Sequence, residues 1–439
     1  MPFLPASSEK ASSSPSGSTD RTRSGTWNGE RIGPGRRGPM TAETMAKREV
    51  IGRLLIGSRL VPGRLSIRGE RIEAVERTEG LGDPSKLPIV APGLIDLHIH
   101  GFAGEQPLDN LAALCTGLAH VGTTAFQPTL FPAAPEVLGN QAEEVMRQAG
   151  RLESGARVIG LHLEGPFVNP NKAGALPREC LATPSVAALH SILGPGSGDG
   201  RGIRTMTLAP ELEGSDELIA ELARCDVRVS LGHSAATWQQ ASSAARAGAV
   251  GATHLFNAMG PVHHRAAGLA NFALSDDALF AEIIGDLVHV SAEGFRLALR
   301  TRGPRGLALV SDALWAAGTG CSVFHSHGRR CFQRDGAIWT RPQVEGEQDR
   351  SSDPILTGAA ASQFEACGRL VKGGVCSIEE ALTMASETPA RALGLEKDMG
   401  CLVPGARADL ILLDEATWSL RSVLVGGKPS EPTPEKSAT

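Results

Sequence analysis

Histidines and carboxylates recur in this sequence at the ends of short apolar runs, at positions spread over more than two hundred residues. His98 and His100 stand in APGLIDLHIHG, Glu164 in GLHLEGPF, His233 in VSLGHS, His254 in GATHLFNAM and Asp312 in ALVSDAL. Two residues apart in an extended strand, His98 and His100 project to one face, where they can share or flank a divalent cation. Asp96 and Gly101 flank the pair, and a turn directly after the strand puts it on a rim. Glu164 follows the run Val158–Leu161, and a carboxylate at the end of a buried strand is costly unless paired or metal-bound. His162 faces the same side, so one of the two is a candidate for a supporting role. Glu164 with His233 and His254 offers one carboxylate and two imidazoles, the open coordination of a catalytic zinc or similar borderline cation. Asp312 is suited to act as general base and then general acid beside such a cation. Plainer roles compete with these: a solvated rim glutamate, structural histidines, an aspartate capping the next helix.

Such chemistry needs a scaffold that gathers the ends of separate strands. From about Gly93 to Leu395 apolar strands alternate with Ala-rich amphipathic helices, as in LAALCTGLAHVG before TTAFQPTLF and TWQQASSAARAG before AVGATHLF. That alternation predicts parallel βα units, and polar strand ends of one chemical kind predict a barrel with a metal at its C-terminal rim. The 439 residues suffice for a barrel of ~250 residues plus an accessory unit. Lys47–Val90 and the stretch GARADLILLDEATWSLRSVLVGGK read as short strands and turns, so both ends are expected to build one small β-unit. The predicted organisation is an extension (1–46), a first β part (47–91), a barrel (92–397), a second β part (398–430) and a flexible tail (431–439). The extension is dominated by Ser, Gly, Pro and Arg, has little to bury and is expected to be disordered. It has no apolar core of a secretory signal; a transit peptide and a true start at Met40 or Met45 both remain compatible with it.

Composition argues against other classes. A net charge of −5 carries no basic footprint for nucleic acid. No apolar run approaches the ~20 residues of a membrane span. Eight cysteines without a C-x-x-C pair read as reduced thiols of a cytoplasmic protein.

The segments PGLIDLHIHG, HLEGPFVNPNKAGALP, LGHSAAT, THLFNAMGPVHHRAAG, LVSDALWAAG and MASETPARALGL resemble, in order and spacing, the N-acetylglucosamine-6-phosphate deacetylases of the amidohydrolase superfamily. The similarity runs from Glu49 to Leu413. It implies an α/β fold, a (β/α)8 TIM-type barrel with a small β-sandwich built from both termini. It also implies hydrolysis of N-acetylglucosamine 6-phosphate to glucosamine 6-phosphate and acetate, a step of amino sugar catabolism. On this resemblance Glu164, His233 and His254 hold the catalytic metal, and His98 and His100 hold a second cation where one binds. The cofactor is thus one or two divalent cations per subunit, zinc first, with iron, cobalt or manganese as alternatives. Asp312 matches the catalytic aspartate. Asn257, Ala258 and Arg265 match positions that hold the sugar phosphate, for which a planar guanidinium is well shaped. His289 matches a histidine that reaches the phosphate in a neighbouring subunit's site, which implies a homodimer. Leu356, Thr357 and Gly358 match a loop over the acetamide, and Ala175 and Leu176 fall beside the sugar.

One departure stands out. Family members commonly place a histidine at the position of Leu176, and a leucine donates no hydrogen bond. Losing one such donor costs about 2.7–4 kcal/mol in an oxyanion hole. A second cation at His98 and His100 offsets that loss; otherwise the leucine implies a different acyl group or a slow enzyme. The segment Cys321–Pro354 also departs, with a polar insert expected at the surface. Two further readings stay open: an amidohydrolase acting on a cyclic amide or a deaminase substrate, and a weakly active sugar-phosphate-binding relative. His263, His264, His325 and His327 read as surface or supporting residues.

Overall fold

The computed structural model describes residues 47–430, apart from 79, 195–199, 327, 328, 342, 345, 346 and 349–352. The predicted extension, the tail and His327 lie outside the described residues.

The chain opens with four strands, β1 (Lys47–Ile56), β2 (Arg59–Arg68), β3 (Arg71–Arg77) and β4 (Ile89–Pro92). Gly57, with φ 61°, supplies the left-handed turn between β1 and β2 that a side chain would disfavour. Eight parallel strands follow: β5 (Leu94–Ile99), β6 (Thr123–Leu130), β7 (Leu161–Glu164), β8 (Ile203–Leu208), β9 (Arg228–Leu231), β10 (Ala249–Ala252), β11 (Phe280–Ile284) and β12 (Leu307–Val310). They are hydrogen-bonded in sequence order from β5 to β12. Each is followed by a helix: α1 (Leu111–His120), α2 (Pro135–Ala149), α3 (Val186–Leu193), α4 (Ser215–Arg224), α5 (Trp238–Ala247), α6 (Leu269–Ser275), α7 (Ala292–Arg302) and α8 (Gln363–Lys372). This is the (β/α)8 barrel that the alternating pattern predicts. Between β12 and α8 an antiparallel sheet is inserted, β13 (Val323–Ser326), β14 (Arg329–Arg334), β15 (Ala337–Thr340) and β16 (Ile355–Ala359). The chain then passes through α9 (Ile378–Ala385) and α10 (Glu387–Ala392) into β17 (Leu410–Asp414), β18 (Ser419–Val425) and β19 (Lys428–Pro429).

The terminal strands combine in one sheet, ordered β19-β18-β17-β4-β1-β2-β3. It encloses its own apolar cluster, including Leu54, Leu65, Ile72, Leu410 and Leu424, so the small β-unit does draw on both ends of the chain. Only Gly93 separates β4 from β5, which ties this sheet directly to the barrel's first strand.

The barrel is sealed between β12 and β5 by individual bonds, not by a regular ladder. Asp312 N–H donates to His98 O at 2.8 Å, and His100 N–H donates to Ala313 O at 2.9 Å. One layer down, the Asp96 carboxylate accepts from Ser311 N–H at 3.2 Å. Below these the Gln363 amide donates to Ile95 O at 2.9 Å and to Leu309 O at 2.7 Å, one carbonyl on each side of the seam. Gln363 is the first residue of α8, whose start is fixed by a reciprocal capping box between Ser362 and Glu365. The helix start therefore aims the amide into the gap.

Candidate metal centre

All six residues predicted from the strand ends converge on one buried point. Glu164 is the hub. Its Oε1 lies 2.9 Å from His233 Nε2 and 3.0 Å from His254 Nε2, while Oε2 lies 3.2 Å from His100 Nε2. His98 Nε2 is 3.6 Å from Glu164 Oε1 and 3.3 Å from His100 Nε2. Asp312 Oδ1 faces both, at 3.6 Å from His98 Nε2 and 3.5 Å from His100 Nε2. None of the six is more than 8% exposed.

The hydrogen bonds behind the imidazoles decide what the centre can hold. His233 Nδ1 lies 2.8 Å from Lys172 O, and His100 Nδ1 lies 3.2 Å from Thr129 O. A carbonyl only accepts, so both Nδ1 atoms carry the hydrogen and, in the neutral rings, both Nε2 atoms present lone pairs to the centre. His98 Nδ1 lies 3.2 Å from Glu282 Oε2, which sets the same tautomer when that carboxylate is ionised. Lone pairs of imidazoles and carboxylates thus point at one another across about 3 Å, an arrangement that repels unless positive charge lies among them. The donor set fits divalent cations. Two overlapping groups of three donors share Glu164: one with His233 and His254, the other with His98 and His100.

The electrostatics of the metal-free centre agree. Burial opposes a charge on His98, but the carboxylates of Glu164 and Asp312 outweigh it and raise its pKa well above the usual value. Burial also opposes ionisation of Glu164, yet the charge on His98 and the bonds from the other imidazoles hold its carboxyl well below the usual range. Asp312 is pushed up to about 7, chiefly by burial. His162 falls to about 4, again chiefly by burial. Its Nδ1 is bonded to Leu97 O at 3.1 Å and its Nε2 to Thr207 Oγ1 at 2.8 Å, so this ring is a supporting residue with no nitrogen left for a ligand role.

Backbone strain marks the same places. His233, His254 and Asp312 have φ of 48°, 30° and 51°, left-handed conformations that cost on the order of 1–3 kcal/mol each for residues other than glycine. The framework holds them there: Asn169 N–H donates to His233 O at 3.0 Å, and Leu255 N–H to Glu282 O at 2.7 Å. Gly232, just before His233, is equally constrained, since a Cβ there would stand 2.7 Å from Thr253 Cβ.

Other predicted residues surround this centre at varying depth. Leu176 is buried with Val168, Ala173 and Leu181 against Phe131, whose ring stacks on His100 at 3.8 Å between centroids. The position is apolar and filled. Ala175 O accepts from Arg329 Nη1 of the inserted sheet at 3.1 Å. Gly358 packs on the backbone of Asp312, where a Cβ would meet Asp312 O at 2.8 Å. Leu356 pairs with Trp339 and Gly358 with Ile338, leaving Thr357 at a bulge. Asn257 and Ala258 lie in the turn after His254; Asn257 N–H is engaged by His254 O at 2.9 Å, and Ala258 O accepts from Ser234 N–H at 3.1 Å. Arg265 sits on an exposed loop, whose backbone His263 organises by accepting from Arg265 N–H at 3.2 Å and Ala266 N–H at 3.0 Å. His264 and His325 are exposed.

His289 lies in the loop after β11. Its side chain is 4% exposed and its Nδ1 is bonded to Asp286 Oδ2 at 2.7 Å within the same chain. Burial works against a charge on it, but the Asp286 bond and the nearby Asp312 charge raise its pKa. Three residues that the pattern of strand ends does not reveal are Glu282, Phe131 and Gln363. Glu282 carried a signal, a lone carboxylate inside the apolar run FAEIIG.

Known proteins share this combination of barrel and sequence. The profile of the Amidohydrolase family matches residues 350–433. The N-acetylglucosamine-6-phosphate deacetylase of Rattus norvegicus is 35% identical over 395 residues, covering 86% of this chain and 93% of the rat protein. The N-acetylgalactosamine-6-phosphate deacetylase of Escherichia coli O157:H7 is 32% identical, covering 74% of this chain and 84% of its own. Among solved structures, a mutant N-acetyl-D-glucosamine-6-phosphate deacetylase from Mycobacterium smegmatis, in complex with N-acetyl-D-glucosamine-6-phosphate, superposes with a TM-score of 0.76 at 29% identity, covering 88% of this chain and 99% of that one.

Proposed function

Because the chain belongs to the N-acetylglucosamine-6-phosphate deacetylase family of amidohydrolases, we propose that it hydrolyses N-acetylglucosamine 6-phosphate to glucosamine 6-phosphate and acetate. The observation that carries this reading is the convergence of five lone-pair donors and Asp312 on one buried point, in a chain that aligns along 93% of the rat enzyme.

The cluster geometry supports the metal and base roles, and the resemblance supports the substrate-binding ones. Glu164, His233 and His254 would hold the catalytic cation, and His98 and His100, with Glu164 shared, would hold a second. When bound, the divalent cation supplies Lewis acidity to the acetamide oxygen and to the attacking water. Asp312, whose carboxyl is pushed up to about 7 chiefly by burial, takes a proton from that water as the new C–O bond forms. It returns the proton to the sugar nitrogen as the C–N bond breaks, which leaves acetate and the free amine. Asn257, Ala258 and Arg265 bind the phosphate, and the exposed guanidinium of Arg265 is accessible for that contact. Leu356, Thr357 and Gly358 lie over the acetamide, with Ala175 and the apolar Leu176 beside the sugar. Imidazole and carboxylate donors favour zinc, with iron, cobalt or manganese as substitutes.

The barrel spans 92–397, and the β-unit 47–91 with 398–430. The match of His289 to a histidine that reaches a neighbouring site supports a homodimer, and eight free thiols support the cytoplasm. Among the described residues no helix is long and apolar enough to cross a membrane.

The test is acetate release from N-acetylglucosamine 6-phosphate and its galacto epimer, after chelation and metal add-back, beside Asp312→Asn. Asparagine tolerates the left-handed backbone at this position, so the variant isolates the loss of the base. Turnover that depends on metal and falls by roughly 10²–10⁴ in the variant is expected. No turnover with any added metal refutes the reading.

A further inference from the structure

Of the imidazoles at the metal centre, three have their Nδ1 atoms anchored from behind. His233 and His100 use neutral backbone carbonyls, Lys172 O and Thr129 O. His98 alone uses a carboxylate, that of Glu282 at 3.2 Å. His254 Nδ1 is buried without a partner among the described residues. Charge behind a ligand is therefore unevenly distributed, and it is concentrated behind one member of the His98–His100 pair.

That carboxylate is built in at some cost. Glu282 is 6% exposed on β11, inside the barrel, where a charge is stable only if it is matched by good partners. A neutral acceptor would be enough to orient the ring, as it is for His233 and His100. A carboxylate does more: it adds negative charge one ring away from the centre and strengthens the donor power of Nε2.

We propose that Glu282 is a positioning residue that commits His98 to the second cation and thereby sets whether the centre holds one ion or two. This rests on the reading of His98 and His100 as ligands given above. Glu282 also stands with His98 and His162 as a group of three donors, but both nitrogens of His162 are already bonded, so the carboxylate acts through His98. It fixes the Nδ1–H tautomer, so that the Nε2 lone pair faces His100 Nε2, Glu164 and Asp312. The cation bound by Glu164, His233 and His254 has no such support behind it and is expected to be insensitive to Glu282.

The experiment titrates the purified, metal-stripped full chain with Co²⁺ or Zn²⁺ and reads stoichiometry by elemental analysis, affinity by calorimetry and ligand geometry by the visible Co²⁺ spectrum. Glu282→Leu removes the acceptor, and Glu282→Gln keeps an acceptor without the charge. The wild-type chain is expected to take up two ions. In Glu282→Leu the weaker site should lose affinity by about 10–100-fold, with its Co²⁺ absorption, while the tighter site stays within about threefold. Glu282→Gln should fall between the two. Thr388→Val, which removes a buried hydroxyl bonded to Pro304 O on the outer helical layer, serves as the control for general loosening of the barrel and should leave both sites unchanged.

Uptake of a single ion by the wild-type chain overturns the proposal. So do unchanged titrations in both variants, or equal losses at both sites. If Glu282→Leu does not fold, Glu282→Gln and its Co²⁺ spectrum decide alone. Failure of the deacetylase reading would show separately, as absent acetate release by a wild-type chain that still binds two ions.

Discussion

Gln363 offers the sharpest test of how the fold serves the centre. Its amide donates to Ile95 O on β5 and Leu309 O on β12, the two strands that do not pair, and the side chain is 1% exposed. Gln363→Leu keeps most of the volume and removes both bonds. Each carbonyl that loses its donor in a dry site costs about 1–3 kcal/mol, or about 2–6 kcal/mol for the two. For a chain of this size that corresponds to a fall of about 2–7 °C in melting temperature. The same seam carries the bond from Asp312 N–H to His98 O, so loosening it displaces the proposed base from the proposed ligands. Small displacements of that kind reduce turnover sharply, and kcat should drop tenfold or more with KM little changed. Differential scanning fluorimetry and steady-state kinetics on the metal-loaded chain measure both. Gln363→Glu adds a pH signature. A carboxylate facing two carbonyls has a raised folded pKa, so its penalty is absent below the unfolded value near 4.3 and grows as pH rises through the folded one. Melting of this variant should therefore improve on acidification relative to Gln363→Leu. A leucine variant that melts within about 1 °C of wild type, with unchanged kcat, would refute the idea that the amide closes the barrel.

Two further outcomes follow from the site. Glu164→Gln keeps the shape of the hub but removes the charge that all four imidazoles face; bound metal, measured by elemental analysis after gel filtration, should fall at least tenfold, and near-full occupancy would exclude Glu164 as the shared ligand. Asp286→Asn should lower the His289 pKa, read by proton NMR, because the bond that raises it against burial is lost. The sign for stability is fixed by the pair: the raised His289 contributes fully below its ordinary value of 6.5 and fades as pH rises through the folded one, while the lowered Asp286 contributes above its ordinary 3.8 and fades as pH falls through the folded one. The stability gap to Asp286→Asn should be widest between these values; a gap that widens above pH 8 contradicts the assignment.

Much of this architecture is legible in the sequence because parallel strands buried on both faces are apolar runs, and a metal centre must end them with polar residues. His98, His100, Glu164, His233, His254 and Asp312 are all found that way, and the structure brings each within 3.6 Å of at least one other. What the pattern does not disclose lies in the third dimension. The tautomer of His233 depends on Lys172 O, sixty-one residues away, and the left-handed backbone of three site residues has no composition signature. Glu282 looks like an anomaly in a strand until His98 is found behind it. Gln363 looks like an ordinary first residue of a helix, because the strands it joins are not neighbours in sequence. The environment of Leu176 is a similar case: the substitution is visible, but only the packing of Phe131 and Val168 explains why a leucine sits comfortably there.

The sheet shared by the two ends of the chain sets an order of events during synthesis. β5, which carries His98 and His100, follows β4 after a single residue, and β4 is held by β17 through pairings such as Ile411 with Ala91. Gly93 N–H, at the junction itself, donates to Asp409 O at 2.8 Å. A nascent chain can therefore present every metal ligand well before the strand that anchors the first two has left the ribosome. Contacts across more than three hundred residues form slowly, since the intervening loop must close first. A chain stopped short of Leu410 would keep all six strand-end residues and the whole barrel, yet lack the tether that fixes their first strand. The last strands thus complete the support beneath the barrel's first strand only after the rest of the barrel has been made.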